Sequence, residues 1–187
     1  MKKAIALTMV GTLCLVGSHL AVADEKAPQK VIDLTPTLAK LGTDPIIVQA
    51  TVAENAKSKS LLQIKEMDQR WQATPGLADF MSALMESECG QHLRHLLQVE
   101  PYYAEIFVMD NQGANVCMTD KTSDYWQGDE AKFTESFKGG AGAVHISDVK
   151  FDDSTQAYLV QVSVPVKDGN KVVGAITIGI NVDRILN

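Results

Sequence analysis

Tyr125 and Trp126 lie side by side in the long polar stretch Lys121–Gly142, and Phe133 and Phe137 follow four residues apart, on one face of a short helix. Aromatic rings of this kind can wall an apolar site, and Tyr and Trp each keep a polar tip for a hydrogen bond. His145, Ser147 and Tyr158, in the strand-like sequence beyond, could add further hydrogen-bonding groups. The chemistry on offer is non-covalent recognition of a small molecule in a concave, largely apolar site. The competing role for all four aromatics is to fill a core.

Other constellations lead to less. His92 and His95 are three apart with Glu88 one turn earlier, a spacing that can hold a metal but more often marks a solvated helix face. Cys89-Gly-Gln-His92 lacks the second cysteine of a haem-attachment motif. No Gly-x-Ser-x-Gly elbow frames a serine nucleophile. The expectation is a protein that is not an enzyme, with no cofactor and no metal.

The N-terminus sets the compartment. Lys2 and Lys3 precede an apolar run from Ala4 to Val16, and Ala21-Val-Ala23 fits a small-residue cleavage site. This reads as a signal peptide over residues 1–23, cut after Ala23. The rival reading, an uncleaved anchor, needs roughly 20 apolar residues. Leu13 before Cys14 is a poor lipobox residue. No later segment is apolar enough to insert in a membrane, so the expected location is periplasmic. Lys2 and Lys3 leave with the leader, so Lys+Arg falls from 17 to 15 against 23 Asp+Glu, a net charge of −8. That acidity argues against nucleic acid or an anionic membrane as partner.

Cys89 and Cys117 are the cysteines that remain. In an oxidising compartment they are either a disulfide or two buried thiols, and a bridge is the favoured reading.

Elements must hold these residues in place. Asp24–Lys30 is polar, and residues 24–44 are expected to be a tether. Thr43-Asp-Pro45 opens a helix expected over 45–72, with Val48, Val52, Ala56, Leu62, Met67 and Trp71 at helical spacing. Thr74-Pro75 reads as a second start, for a helix carrying Leu77, Phe80, Met81 and Leu84. Ser87 caps a third, with Leu93, Leu96 and Leu97, and Pro101 ends it. Strands are expected over Tyr103–Asp110 and Asn115–Thr119, joined by Asn111-Gln-Gly113. A short helix over Asp129–Phe137 interrupts the next connection. Three apolar segments between Ala143 and Asp183, parted by the turns Asp152–Thr155 and Asp168–Asn170, predict an antiparallel meander.

The wording of those strands resembles the extracytoplasmic PAS-like sensors called Cache domains. The matching pieces are Ala104-Glu-Ile-Phe-Val-Met-Asp-Asn-Gln-Gly113, Asp124-Tyr-Trp-Gln-Gly-Asp-Glu130, and Val164-Pro-Val166 with Asp168-Gly169 and Val172-Val-Gly174. The resemblance implies an α+β fold: a long N-terminal helix on a five-stranded antiparallel PAS-like sheet, over residues 45–187. It also implies that Lys121–Gly142 forms a lid, with the ligand between lid and sheet, Tyr125 and Trp126 at its edge, and Phe133, His145, Ser147 and Tyr158 nearby. Amino-acid-binding members carry an Arg and a Trp-Tyr pair in the lid helix and an Asp in the last strand. Here the lid helix reads Glu130-Ala-Lys-Phe133, and Ile178-Gly-Ile180 has no acid, so an α-amino acid is not the expected ligand. The implied function is a free-standing periplasmic ligand-binding domain that presents its ligand state to a membrane-bound histidine kinase or chemoreceptor. The alternative is an interaction module that kept the fold without a ligand.

One measurement tests the leader directly. The exported protein should have the intact mass of a chain beginning at Asp24; a mass that includes Met1, or a lipid on Cys14, would refute cleavage after Ala23.

Overall fold

The computed structural model describes residues 25–153 and 155–187. The signal-peptide segment lies outside the described residues. No helix among them is long and apolar enough to cross a membrane.

The chain is α+β. Helices α1 (Gln29–Leu38), α2 (Pro45–Ala56), α3 (Leu61–Ala73), α4 (Asp79–Glu86) and α5 (Glu88–Leu97) precede strands β1 (Tyr103–Met109) and β2 (Asn115–Met118). Helix α6 (Ala131–Phe137) follows, then β3 (His145–Ile146), β4 (Lys150–Asp152), β5 (Ala157–Asp168), β6 (Lys171–Asn181) and the short α7 (Val182–Leu186). The strands make one six-stranded sheet in the order β2-β1-β6-β5-β3, with β4 also on β5, and every pairing is antiparallel. The first strand therefore pairs with the last at the centre of the sheet.

Alternation along the strands divides the sheet into two faces. Ile106, Val108, Val116, Val160, Val162, Val164, Ile176, Ile178 and Ile180 face α1, α2, α5 and α7. Phe107, Met109, Met118 and Ala175 face the other way, under α3 and α4. Along β5 and β6 this second face turns polar, with Gln161, Ser163 and Thr177; the Ser163 and Thr177 hydroxyls bond to each other at 2.9 Å.

Several elements differ from the sequence expectation. Of the tether expected over 24–44, the described residues 25–44 are not loose: α1 and the 3₁₀ turn Ala39–Thr43 pack on the sheet, with Val31 and Leu38 wholly buried. Gly42 meets β5 so closely that a Cβ there would lie 2.1 Å from the Pro165 carbonyl oxygen. The long helix over 45–72 is two helices. Ser58 takes φ +51°, a left-handed conformation that ends α2, and Ser60 restarts the chain with a reciprocal capping box to Gln63. Thr74-Pro75 opens nothing: Thr74 closes α3, its N–H donating to the Trp71 carbonyl, and α4 begins at Asp79. The third expected strand is two short ones. The Ser147 hydroxyl accepts the Gln161 N–H at 2.9 Å, and the Val149 N–H goes to the Glu25 carbonyl, so the ladder lapses until Lys150. The caps at Asp44 and Ser87 and the hairpin turns at Gly113 and Gly169 are as expected.

Cys89 of α5 and Cys117 of β2 form a disulfide, with Cα atoms 5.8 Å apart. It fastens the helical layer to an edge strand. His92, one turn along, turns its Nε2 to the Asp44 carboxylate at 2.9 Å and so helps hold the start of α2.

Replacing Cys89 and Cys117 together by Ala should cost roughly 3.5 kcal/mol in urea unfolding, from loss of a loop closed at sequence separation 28. A loss near zero would show that the bridge constrains nothing. Thiol titration of the denatured, unreduced protein should find neither thiol free.

Candidate ligand-binding cleft

The Lys121–Gly142 segment is built onto α3 and onto the strand ends. Asp68 of α3 accepts the backbone N–H groups of Tyr125 (2.8 Å) and Trp126 (3.1 Å). The Trp71 indole donates to the Thr122 carbonyl at 2.8 Å, and Asn115 donates to the Thr122 hydroxyl at 2.7 Å. Gly113, at φ +85°, and Gly128 meet so closely that a Cβ on Gly113 would lie 2.4 Å from the Gly128 Cα. The segment is thus anchored through its first half as well as at its helix.

Between this segment and the polar end of the second sheet face runs a cleft of about 490 Å³. Glu105 and Phe107 of β1 and Gln161 of β5 form its floor. Lys121, Gln127 and Lys132 belong to the covering segment, and Phe151, Asp152 and Asp153 to the β4–β5 hairpin. A smaller cleft of about 200 Å³ shares Lys132, Phe151, Asp152 and Gln161 and extends to Ser147.

The floor depends on a glycine. Gly179 of β6 lies directly between Glu105 and Gln161 in the cross-strand register. Without a side chain there, Gln161 Nε2 reaches over β6 and donates to Glu105 Oε1 at 2.8 Å. A Cβ on Gly179 would stand 2.5 Å from the Glu105 Cγ. Glu105 is only 8% exposed. Burial raises its pKa above the ordinary 4.5; the Gln161 bond works against this, the Asp152 charge adds to it, Lys132 opposes it and Asp120 adds again. A buried carboxyl with a raised pKa in a cleft is the pattern of groups kept for function rather than stability.

The residues expected at a site are dispersed. Tyr125 is buried against Trp71, ring centroids 5.7 Å apart, and its hydroxyl accepts from Lys59 Nζ at 3.0 Å. Burial works against the Lys59 ammonium, but Glu54 and Tyr125 outweigh it and hold its pKa at about 12. Trp126 donates through Nε1 to the Gln112 carbonyl and lines a separate groove beside α3, with Lys65 over its ring at 4.7 Å. Phe133 is buried and stacks on Phe137 at 5.1 Å. His145 pairs with Ser163 in the sheet edge. Tyr158 is 53% exposed, edge-on to Phe151 at 5.3 Å. Ser147 alone of the six borders the cleft system, in its smaller part. The volume beneath Tyr125 is filled by Trp71, Ile64 and Met81.

Glu105 and Gln161 went unread in the sequence. The signal was present: a single acid inside the apolar strand Tyr103–Met109, and a glycine inside the apolar strand Lys171–Asn181. Only the register shows that they are opposite each other.

Among solved structures the chain is similar to the sensor domain of the V. cholerae histidine kinase DctB, at 13% identity and a TM-score of 0.46, over 83% of this chain and 50% of that one. It is also similar to the sensory domain of the Campylobacter jejuni chemoreceptor Tlp3 with isoleucine bound, at 14% identity and a TM-score of 0.41, over 85% of this chain and 65% of that one. This chain therefore spans half of the first and under two thirds of the second. No family model and no curated protein matches the chain.

The raised pKa of Glu105 has a consequence for stability. The fold favours the protonated carboxyl, so its contribution is full below pH 4.5 and is lost as pH rises through the higher folded-state value. Glu105→Gln mimics the protonated form. It should melt above the wild type near neutral pH, and the gap should close in acid. A gap that is constant across pH would contradict the burial argument.

Proposed function

We propose that the protein is an extracytoplasmic sensor module that binds a small molecule in the cleft over Glu105 and Gln161. It is periplasmic, freed by cleavage after Ala23, and it presents its ligand state to a membrane-bound histidine kinase or chemoreceptor. The role is binding, not catalysis. One observation carries the reading: a cleft of about 490 Å³ lies between the sheet and the Lys121–Gly142 segment, with a buried carboxyl in its floor. The Cache resemblance implies a ligand between those two layers. Long connections that cover a sheet are common places for function. Signalling would follow if occupancy of the cleft altered how the β4–β5 hairpin and α6 sit on the sheet, since both contribute to its walls.

A second reading has its own support. Trp71 of α3 is wholly buried in the space beneath Tyr125, where a ligand was expected. A module that retained the fold and filled its pocket would look like this on the α3 side. The polar cleft, on the far side of Phe107, is what distinguishes the sensor reading.

Two substitutions separate the sites. Phe151 is half exposed at the rim of the cleft, so Phe151→Ala should change the melting temperature little while weakening any ligand found by thermal-shift screening. Trp126→Ala should lower the melting temperature and leave that affinity alone. The reverse pattern would move the site to the groove beside α3. A broad screen with no stabilising compound would favour the interaction module, because a ligand specific to the native state must raise the melting temperature by mass action.

A further inference from the structure

The cleft is unevenly supplied with hydrogen-bonding groups. Its principal donors already have protein acceptors. Lys132 Nζ donates to Gln127 Oε1 at 3.2 Å and pairs with Glu130 at 3.0 Å. Lys121 Nζ donates to the Thr74 and Gly76 carbonyls, both at 2.9 Å. The Gln72 amide donates to Asp68 and Asp124, and the Gln161 amide to Glu105. The acceptors are not used up. Glu105 makes its bond through Oε1, and its Oε2 has no hydrogen bond among the described residues. The Gln161 oxygen is in the same condition; Asp152, whose Oδ1 accepts from the Thr155 N–H and hydroxyl, and Asp153 border the same cleft.

Such a lining selects its ligand. A carboxylate oxygen left unbonded at a cleft wall is open to a donor, and an N–H cation serves it best. Lys132 is paired with Glu130, so the Glu105 carboxyl is left to meet whatever enters. Phe151, half exposed at the rim, supplies ring surface for the remainder of the molecule. We propose that the cleft takes a small organic ammonium ion, its N–H groups bonded to Glu105 and to the Gln161 oxygen, and an apolar or aromatic body lying against Phe151. This rests on the reading of the cleft as the ligand site, and it names the ligand's chemical class.

Three probes of one shape decide it: phenethylamine, 2-phenylethanol and phenylacetate, titrated by calorimetry into the full chain, into Glu105→Gln and into Phe151→Ala. Phenethylamine should bind more tightly than the other two. Glu105→Gln should weaken it by at least about tenfold, the worth of a hydrogen bond to a charged group, without a fall in melting temperature. Phe151→Ala should also weaken it. If 2-phenylethanol or phenylacetate binds as well as the amine and Phe151→Ala weakens that binding, the cleft stands as the ligand site and the cationic class is wrong. Phenethylamine binding that neither substitution affects lies elsewhere and also overturns the proposal. No binding of any probe up to about 10 mM, where even weak sites fill, overturns the proposal together with the reading it rests on.

Discussion

A sheet with two buried faces needs cover on both, and four residues make this possible. Lys57-Ser-Lys-Ser60 carries no apolar side chain, Ser58 adopts a left-handed φ, and Ser60 starts a new helix with its capping box. The interruption lets α2 place Ile47 against Ile106 and Val108 on one face, while α3 places Ile64 and Trp71 against Phe107 and Met109 on the other. A single straight helix of the same length could cover only one face. Glu54, at the end of α2, holds both Lys57 and Lys59, and Lys59 goes on to Tyr125. The break is thereby tied to the segment that roofs the cleft.

The second face has a division of labour that follows from this. Where α3 and α4 cover it, the side chains are apolar and large, and Trp71 closes the space with its indole bonded to the Thr122 carbonyl. Beyond Phe107 that cover stops and the strands change character: Glu105, Gln161, Ser163, Thr177 and Gly179 replace the aliphatic residues. Ser163 and Thr177 satisfy each other, and α6 packs over this part with Phe133 and Ser136 buried. Glu105 and Gln161 satisfy each other only partly. The face is thus sealed at one end, hydrogen-bonded in the middle and open at the other end. Keeping a buried carboxyl there works against stability, which is the usual character of a site retained for binding.

The sequence by itself determined the fold class, the turn positions and the cysteine pairing it favoured. These are local or nearly local properties: helix caps at Asp44 and Ser87, hairpin turns at glycines, apolar strands with short connections, and an isolated pair of thiols. It also contained the capping box at Ser60, but the apolar spacing across residues 45–72 suggested continuity. Only the packing against two faces shows why the helix must break there. In the same way α1 fell within the expected tether although it carries Val31, Ile32, Leu34 and Leu38; Val31 and Leu38 become core residues only once β5 lies beneath them.

The site was decided almost wholly by tertiary structure. Aromatic residues in a long connection look alike whether they wall a pocket or fill a core, since both environments favour the same ring surface. Tyr125 and Phe133 are in the second position because Trp71 and Phe137 lie against them, contacts between segments far apart or across a helix face. Glu105 is 56 residues from Gln161 along the chain, and no local pattern relates it to Gln161 and Gly179. They become one unit because β1 and β5 flank β6 in a register that puts the glycine between the two polar side chains. Strand order and register are collective properties of the folded sheet, and the chemistry of the cleft is written in them.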